Sequence, residues 1–196
     1  FVENLFEELF SSLEYAREKY EKPALISGVT VDNNNPDAVT YGGVKIRNFF
    51  LGTGDRVQMT GVPQECDKTH ANILLVPAVV VDVLGIFYEG YQHAAADYDY
   101  SMMARRKGYP LFITGHVCGY CEFDHETGRQ EEVKLLKMTL KERKAYFRHP
   151  VHSTKDYLLA IRRMAPARYP FVCVGRFLNL YWPWLYYTLS HVRGDS

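Results

Sequence analysis

His-Ala-Ala-Ala-Asp-Tyr-Asp-Tyr-Ser-Met-Met-Ala-Arg-Arg-Lys-Gly-Tyr, residues 93–109, sets two carboxylates, Asp97 and Asp99, at the start of a short helical segment that Gly108 closes. Asp is a favoured N-cap residue, and acids in a first turn complement the positive end of the helix dipole. A Gly just past the last turn is the usual stop. Immediately upstream, Gly-Ile-Phe-Tyr-Glu-Gly-Tyr-Gln (85–92) reads as an aromatic, glycine-rich loop lining a cleft. A carboxylate held at such a place has the chemistry of a general base. Residues two apart do not share a helix face, so Asp97 and Asp99 are not a catalytic pair. One is expected to point into the cleft, and the other to cap the helix or pair with Arg105 or Arg106.

Outward from this stretch, strands and helices alternate. Residues 1–21 carry an apolar stripe at helical spacing and end at Lys22-Pro23. Residues 24–31 are almost continuously apolar and predict a buried strand. Asp32 to Asp37 form a turn cluster, and the Gly42-Gly43 pair between strand-like residues predicts a hairpin or a bulge. Residues 51–70 read as a polar loop, 73–77 as a short strand, 78–84 as a helix ending at Gly85, and 111–114 as a further strand. The pattern is that of an α/β domain. Beyond residue 125 it changes: 134–148 reads as one basic helix, and 155–165 as another capped by Ser153-Thr154-Lys155-Asp156.

Length and composition suit one domain with a real core, or one domain plus a small appendage. The formal charge of zero conceals a division. Residues 1–133 carry 11 Lys and Arg against 20 Asp and Glu, net −9, while residues 134–196 carry 12 against 3, net +9. Such asymmetry concerns partners rather than fold. The apolar, aromatic run 169–189 is broken by Gly175, Arg176, Asn179 and Pro183, so it fails the pattern of a spanning helix. It suits an interfacial helix with Trp and Tyr at headgroup level. Nucleic acid is not expected as a partner, because the basic third holds no reader motif.

Two further clusters have ligand chemistry. Thr69-His70-Ala71-Asn72 precedes an apolar strand, where polar groups either bind a sugar or phosphate or merely finish a loop. His116-Val-Cys118-Gly-Tyr-Cys121-Glu-Phe-Asp124-His125 has residue types that suit zinc, but it lacks the second pair of a closed four-ligand site. The four cysteines are expected as thiols in a reducing compartment.

In their order and spacing these blocks resemble family 2 glycosyltransferases, inverting enzymes with a GT-A nucleotide-sugar fold. The resemblance runs from Phe1 to about Leu189. It rests on Pro-Asp-Ala-Val-Thr-Tyr-Gly-Gly (36–43), His-Ala-Asn with Leu-Leu-Val-Pro (70–77), Val-Val-Val-Asp-Val-Leu-Gly-Ile-Phe (79–87), residues 93–109, Gly-His-Val-Cys-Gly-Tyr-Cys-Glu (115–122) and Leu-Lys-Glu-Arg (140–143). It implies a partial GT-A, Rossmann-like sheet with flanking helices over 1–124, and a basic, aromatic helical extension over 125–196. It implies that Asp97 deprotonates the acceptor hydroxyl, with Asp99, His70, Asn72 and His93 as polar contacts around the acceptor. The commoner family motif has Glu immediately before this Asp; here Ala96 stands there.

The resemblance further implies a nucleotide-sugar donor and a divalent metal, Mg or Mn, held by an Asp-x-Asp motif in a donor-side half. No such motif precedes the helix at 1–21 in this sequence, so the chain reads as the acceptor-side half of a longer enzyme, inactive alone. Many relatives carry a His near the metal; His116 and Cys121 fall closest to that place and are weak candidates. A saccharide or lipid-linked acceptor and a peripheral position on the cytoplasmic face of a membrane, through residues 134–196, complete the expectation. The alternative is a binding-only module that uses the cleft or the basic tail to hold a partner.

Overall fold

Apolar residues occupy both faces of Leu25–Val31 (β1), and every residue of this strand is buried. A strand covered on two sides needs neighbours along both edges and layers on both faces. The computed structural model describes residues 1–50, 52–122 and 128–194. The chain forms two compact units, Phe1–Tyr88 with Asp97–Phe123, and Glu89–Ala96 with Asp124–Ser196.

In the first unit, Leu5–Tyr20 forms α1, Val39–Tyr41 β2, Gly43–Asn48 β3, Thr53–Arg56 β4, Gln64–Glu65 β5, Lys68–Thr69 β6 and Leu74–Leu75 β7. Ala78–Leu84 forms α2, Ala96–Arg106 α3 and Leu111–Tyr120 β8. The main sheet runs β2-β1-β8-β5, with β7 also paired to β1. Strands β1 and β8 are parallel, from Leu25 opposite Leu111 to Val31 opposite Tyr120, and the other pairings in this sheet are antiparallel. A mixed α/β architecture results. Where the β1–β8 register slips, Thr114 Oγ1 accepts the Val29 N–H at 3.0 Å and donates to the His116 carbonyl at 2.9 Å. Backbone groups freed by the irregularity are thereby satisfied.

Side-chain alternation along β1 sends Ile26 to one face, where it packs with Leu9 and Ala16 of α1, Phe112 and Cys118. Leu25 and Val29 go to the other face, with Val80 of α2, Tyr100 and Ala104 of α3, and Ile113. Helices on both faces explain why β1 reads as a continuous apolar run.

Three expectations need correction. The Gly42-Gly43 pair makes no hairpin: β2 pairs with β1, while β3 pairs with β4 and β6 in a separate sheet of order β4-β3-β6. A Cβ on Gly43 would lie 2.7 Å from both Cys66 and Ile113, so the glycine serves close approach as the chain changes sheets. The polar loop at 51–70 contains β4, β5 and β6. Its strands are short and half-exposed, so they lack an apolar alternation to announce them. The strand at 111–114 extends to Tyr120, because β1 supplies backbone partners well past its apolar start.

The second unit is helical: Gly128–Lys137 (α4), Leu140–Tyr146 (α5), Thr154–Met164 (α6), Tyr169–Tyr181 (α7) and Pro183–Gly194 (α8). The single basic helix expected over 134–148 is two. Thr139 starts the second with a reciprocal capping box: its side chain accepts the Glu142 N–H, and the Glu142 carboxylate accepts the Thr139 N–H at 2.7 Å. These two bonds satisfy donors that would otherwise be orphaned at the helix start. Ser153 caps α6 as expected, accepting the Asp156 N–H at 3.2 Å. The aromatic run splits into α7 and α8 at Pro183, which cannot continue a helix. Arg143 donates from Nε to the Leu180 carbonyl at 2.8 Å and also to the Met138 carbonyl, covering open carbonyls at the ends of α7 and α4.

Candidate functional site

Helix α3 begins at Ala96, one residue before Asp97, so Asp97 is a first-turn residue rather than the N-cap. Its Oδ1 accepts the N–H of Tyr98 at 2.8 Å, and the residue is half-buried. Asp99, in the same helix, is buried at 2 % exposure. Arg105 reaches Asp67 at 3.0 Å.

Three polar contacts fix α3 against β6 and the residues on either side of it. Asp67 Oδ1 takes Arg105 and, at 3.5 Å, Lys45, while its Oδ2 accepts the Ile46 N–H at 2.7 Å. Ser101 Oγ accepts the Thr69 N–H at 3.1 Å. Tyr98 Oη lies 2.6 Å from His70 Nε2. On α3 the partners are 98, 101 and 105, spaced three and four apart on one helical stripe. They sit opposite 70, 69 and 67 in descending order. This ladder sets the rotation of α3, and with it the placing of Asp97.

Its last rung has defined chemistry. His70 Nδ1 stands 3.1 Å from the Gly42 carbonyl and 3.4 Å from the Gly42 N–H, so the Gly42 backbone offers it an acceptor in one tautomer and a donor in the other. With Nδ1 protonated, Nε2 accepts from the Tyr98 hydroxyl; with Nε2 protonated, it donates to the Tyr98 oxygen. Burial pulls the His70 imidazole below its ordinary value, against the opposing charge of Asp97. Burial also pushes the Tyr98 phenol well above its ordinary range, and the Asp97 charge adds to this. Both groups are therefore neutral at pH 7, beside a carboxylate whose charge acts on each. Tyr41 meets the His70 ring edge-on at 5.3 Å between centroids, and Lys68 Nζ lies 4.2 Å from the Tyr98 ring centroid. Arg56 acts on both His70 and Tyr98 as a nearby positive charge.

The structure thus brings His70 and Asp97 together and leaves Asn72 apart. Asn72 is exposed, with Nδ2 3.8 Å from Cys121 Sγ. His93 belongs to the second unit, where it is exposed. Its backbone is held firmly: Asp156 Oδ2 accepts the N–H groups of Gln92, His93 and Ala94 at 3.0, 2.9 and 3.2 Å. Asp156 is fully buried, and Ala95 follows this segment with a left-handed φ of 67°.

The metal candidates do not converge. His116 Nδ1 lies 3.1 Å from Glu8 Oε2, and its N–H donates to Glu8 Oε1 at 3.0 Å, while Cys121 sits beside Asn72. Cys118 and Cys66 are buried thiols, and burial pushes the Cys66 thiol up to about 12. Asp124 and His125 lie outside the described residues. Among the described residues no group of three or more His, Cys, Asp or Glu is placed to hold a metal ion.

Tyr98, Tyr41, Arg56 and Asp67 carry no sequence signal that singles them out, because each gains its role from partners well separated from it along the chain. The descending pairing of 67, 69 and 70 with 105, 101 and 98 is visible only in space. Comparison with family models, with curated proteins and with solved structures gives no match to this chain.

Proposed function

We propose that this chain is the acceptor-side half of an inverting family 2 glycosyltransferase with a GT-A fold, and that Asp97 is its general base. The observation that carries the reading is the half-buried Asp97 carboxylate at the head of α3, beside a neutral Tyr98–His70 pair fixed by the α3 ladder. The sequence resemblance supplies the reaction class. In that reaction Asp97 takes the proton of an acceptor hydroxyl. The hydroxyl oxygen bonds to the anomeric carbon of the donor, and the carbon–oxygen bond to the nucleoside diphosphate breaks, with inversion. General-base assistance of this kind contributes about 10²–10⁴-fold.

His70 Nε2 is engaged by the Tyr98 hydroxyl and Nδ1 by the Gly42 backbone, so neither ring nitrogen is turned to an acceptor hydroxyl. The divalent metal that the resemblance implies, and with it the stabilisation of the leaving diphosphate, falls to the donor half.

Acceptor recognition is testable on the chain itself with a printed array of oligosaccharides. Wild type retains a subset of glycans, His70→Ala loses them, and Asp97→Asn keeps them. An array silent for wild type overturns the acceptor reading. The binding-only alternative predicts the same array pattern but no sugar transfer by the unsubstituted full-length protein.

A further inference from the structure

Helix α7 is inside-out. Its polar residues turn inward: Asn179 is 5 % exposed, and the Arg176 guanidinium lies over the rings of Tyr157 and Phe147, at 4.2 and 5.2 Å from their centroids. Phe171, Val174, Phe177 and Tyr181, spaced three, three and four apart, form one stripe on the outward face. Phe171 is 78 % exposed and Phe177 51 %. The stripe continues into Trp182, with Phe177 4.8 Å from Tyr181 and 5.7 Å from Trp182 between centroids, and on to Trp184, 61 % exposed. A helix in water places Arg and Asn outward and Phe inward; here the order is reversed.

We infer that this face lies on an anionic lipid bilayer. Charge selects the occupant. From Tyr157 to Gly194 the sequence holds no Asp or Glu and five Arg. Two exposed cations flank the stripe within the second unit: Lys144 Nζ is 5.7 Å from the Tyr181 ring, and Arg162 acts electrostatically on Tyr169 at the start of α7. Aromatic side chains with polar tips favour the headgroup boundary, and basic residues beside them favour anionic headgroups. Among the described residues no helix is long and apolar enough to cross a membrane, so the contact is peripheral. This docking does not depend on the glycosyltransferase reading.

Trp182 and Trp184 are the chain's two tryptophans, so their fluorescence reports on this face without any substitution. On adding vesicles of phosphatidylcholine with phosphatidylglycerol, the emission shifts to the blue and becomes shielded from acrylamide. Pure phosphatidylcholine vesicles give at least a tenfold weaker response, and 0.5 M salt weakens the anionic one. Phe171→Glu with Phe177→Glu abolishes co-sedimentation with the anionic vesicles. Lys144→Glu with Arg162→Glu lowers it about tenfold. Both pairs alter exposed positions and leave the melting temperature within a few degrees. An unshifted wild-type emission with anionic vesicles overturns the inference whatever the variants do. So does a wild-type dimer in light scattering that Phe171→Glu dissolves without any vesicle binding, which would make the face a contact between copies.

Discussion

Helices α3 and α7 both turn polar residues inward, yet to opposite ends. Each inward polar group of the α3 ladder meets a specific partner, Tyr98 with His70, Ser101 with Thr69 and Arg105 with Asp67. Its rotation is fixed, and apolar Tyr100 and Ala104 still reach the core beside β1. In α7 the inward polar groups take up the positions where apolar side chains would pack, and the aromatic residues go outward. Buried polarity therefore orients a site in one helix and exposes a surface in the other. The difference lies in the partner: a hydrogen-bonded neighbour for α3, and aromatic ring faces under Arg176 for α7.

The sharpest break in this comparison is at the head of α3. In the full-length protein, Asp97→Asn leaves the melting temperature unchanged and lowers sugar transfer about 10²-fold or more, measured as nucleoside diphosphate release. Near-normal turnover removes Asp97 from the role of base. Next in size is the ladder. Asp67→Ala removes the acceptor of the Ile46 N–H and the partner of Arg105, and costs about 2 kcal/mol in urea unfolding, discounted for the half-exposed Arg105. Asp67→Asn, which keeps an acceptor, loses less.

A third test uses acid. His70 has a folded value below its unfolded one, so between the two the unfolded chain binds the extra proton. Stability is thus fully present above about pH 6.5 and is lost as pH falls toward the folded value. Melting curves from pH 8 to 5 show this loss in wild type and less of it in His70→Gln. In the second unit, Thr139→Ala breaks the capping box and costs about 1 kcal/mol by the same unfolding measurement. Smallest is Phe171→Ser on α7, within about 0.5 kcal/mol of wild type. A large loss there places that side chain in a core, and the inside-out description of α7 fails.

Much of the first unit was legible. The helix at α1, the buried strand β1, the helix ending at Gly85 and the short helix to Gly108 all announce themselves by apolar period and by a terminating Pro or Gly. The polar strands β4 to β6 were not legible, since half-exposed pairs of residues carry no period. Of the candidate site, Asp97 and His70 were singled out by type and position, but Tyr98 and Asp67 were not. The sign of Asn72 and Asp99 was also hidden. One is exposed beside Cys121 and the other is buried inside its own helix, and nothing in their neighbours along the chain distinguishes those fates.

By itself the sequence determined the local elements, the acidic-to-basic division and the aromatic character of residues 169–189. These follow from side-chain chemistry and near-neighbour periodicity, which need no knowledge of what lies across space. The tertiary structure decided that His70 and Tyr98 form a neutral pair beside Asp97, and that α7 faces its aromatic side outward. Both depend on contacts between segments far apart in the chain, where burial and a particular partner, rather than residue type, set a group's charge and orientation.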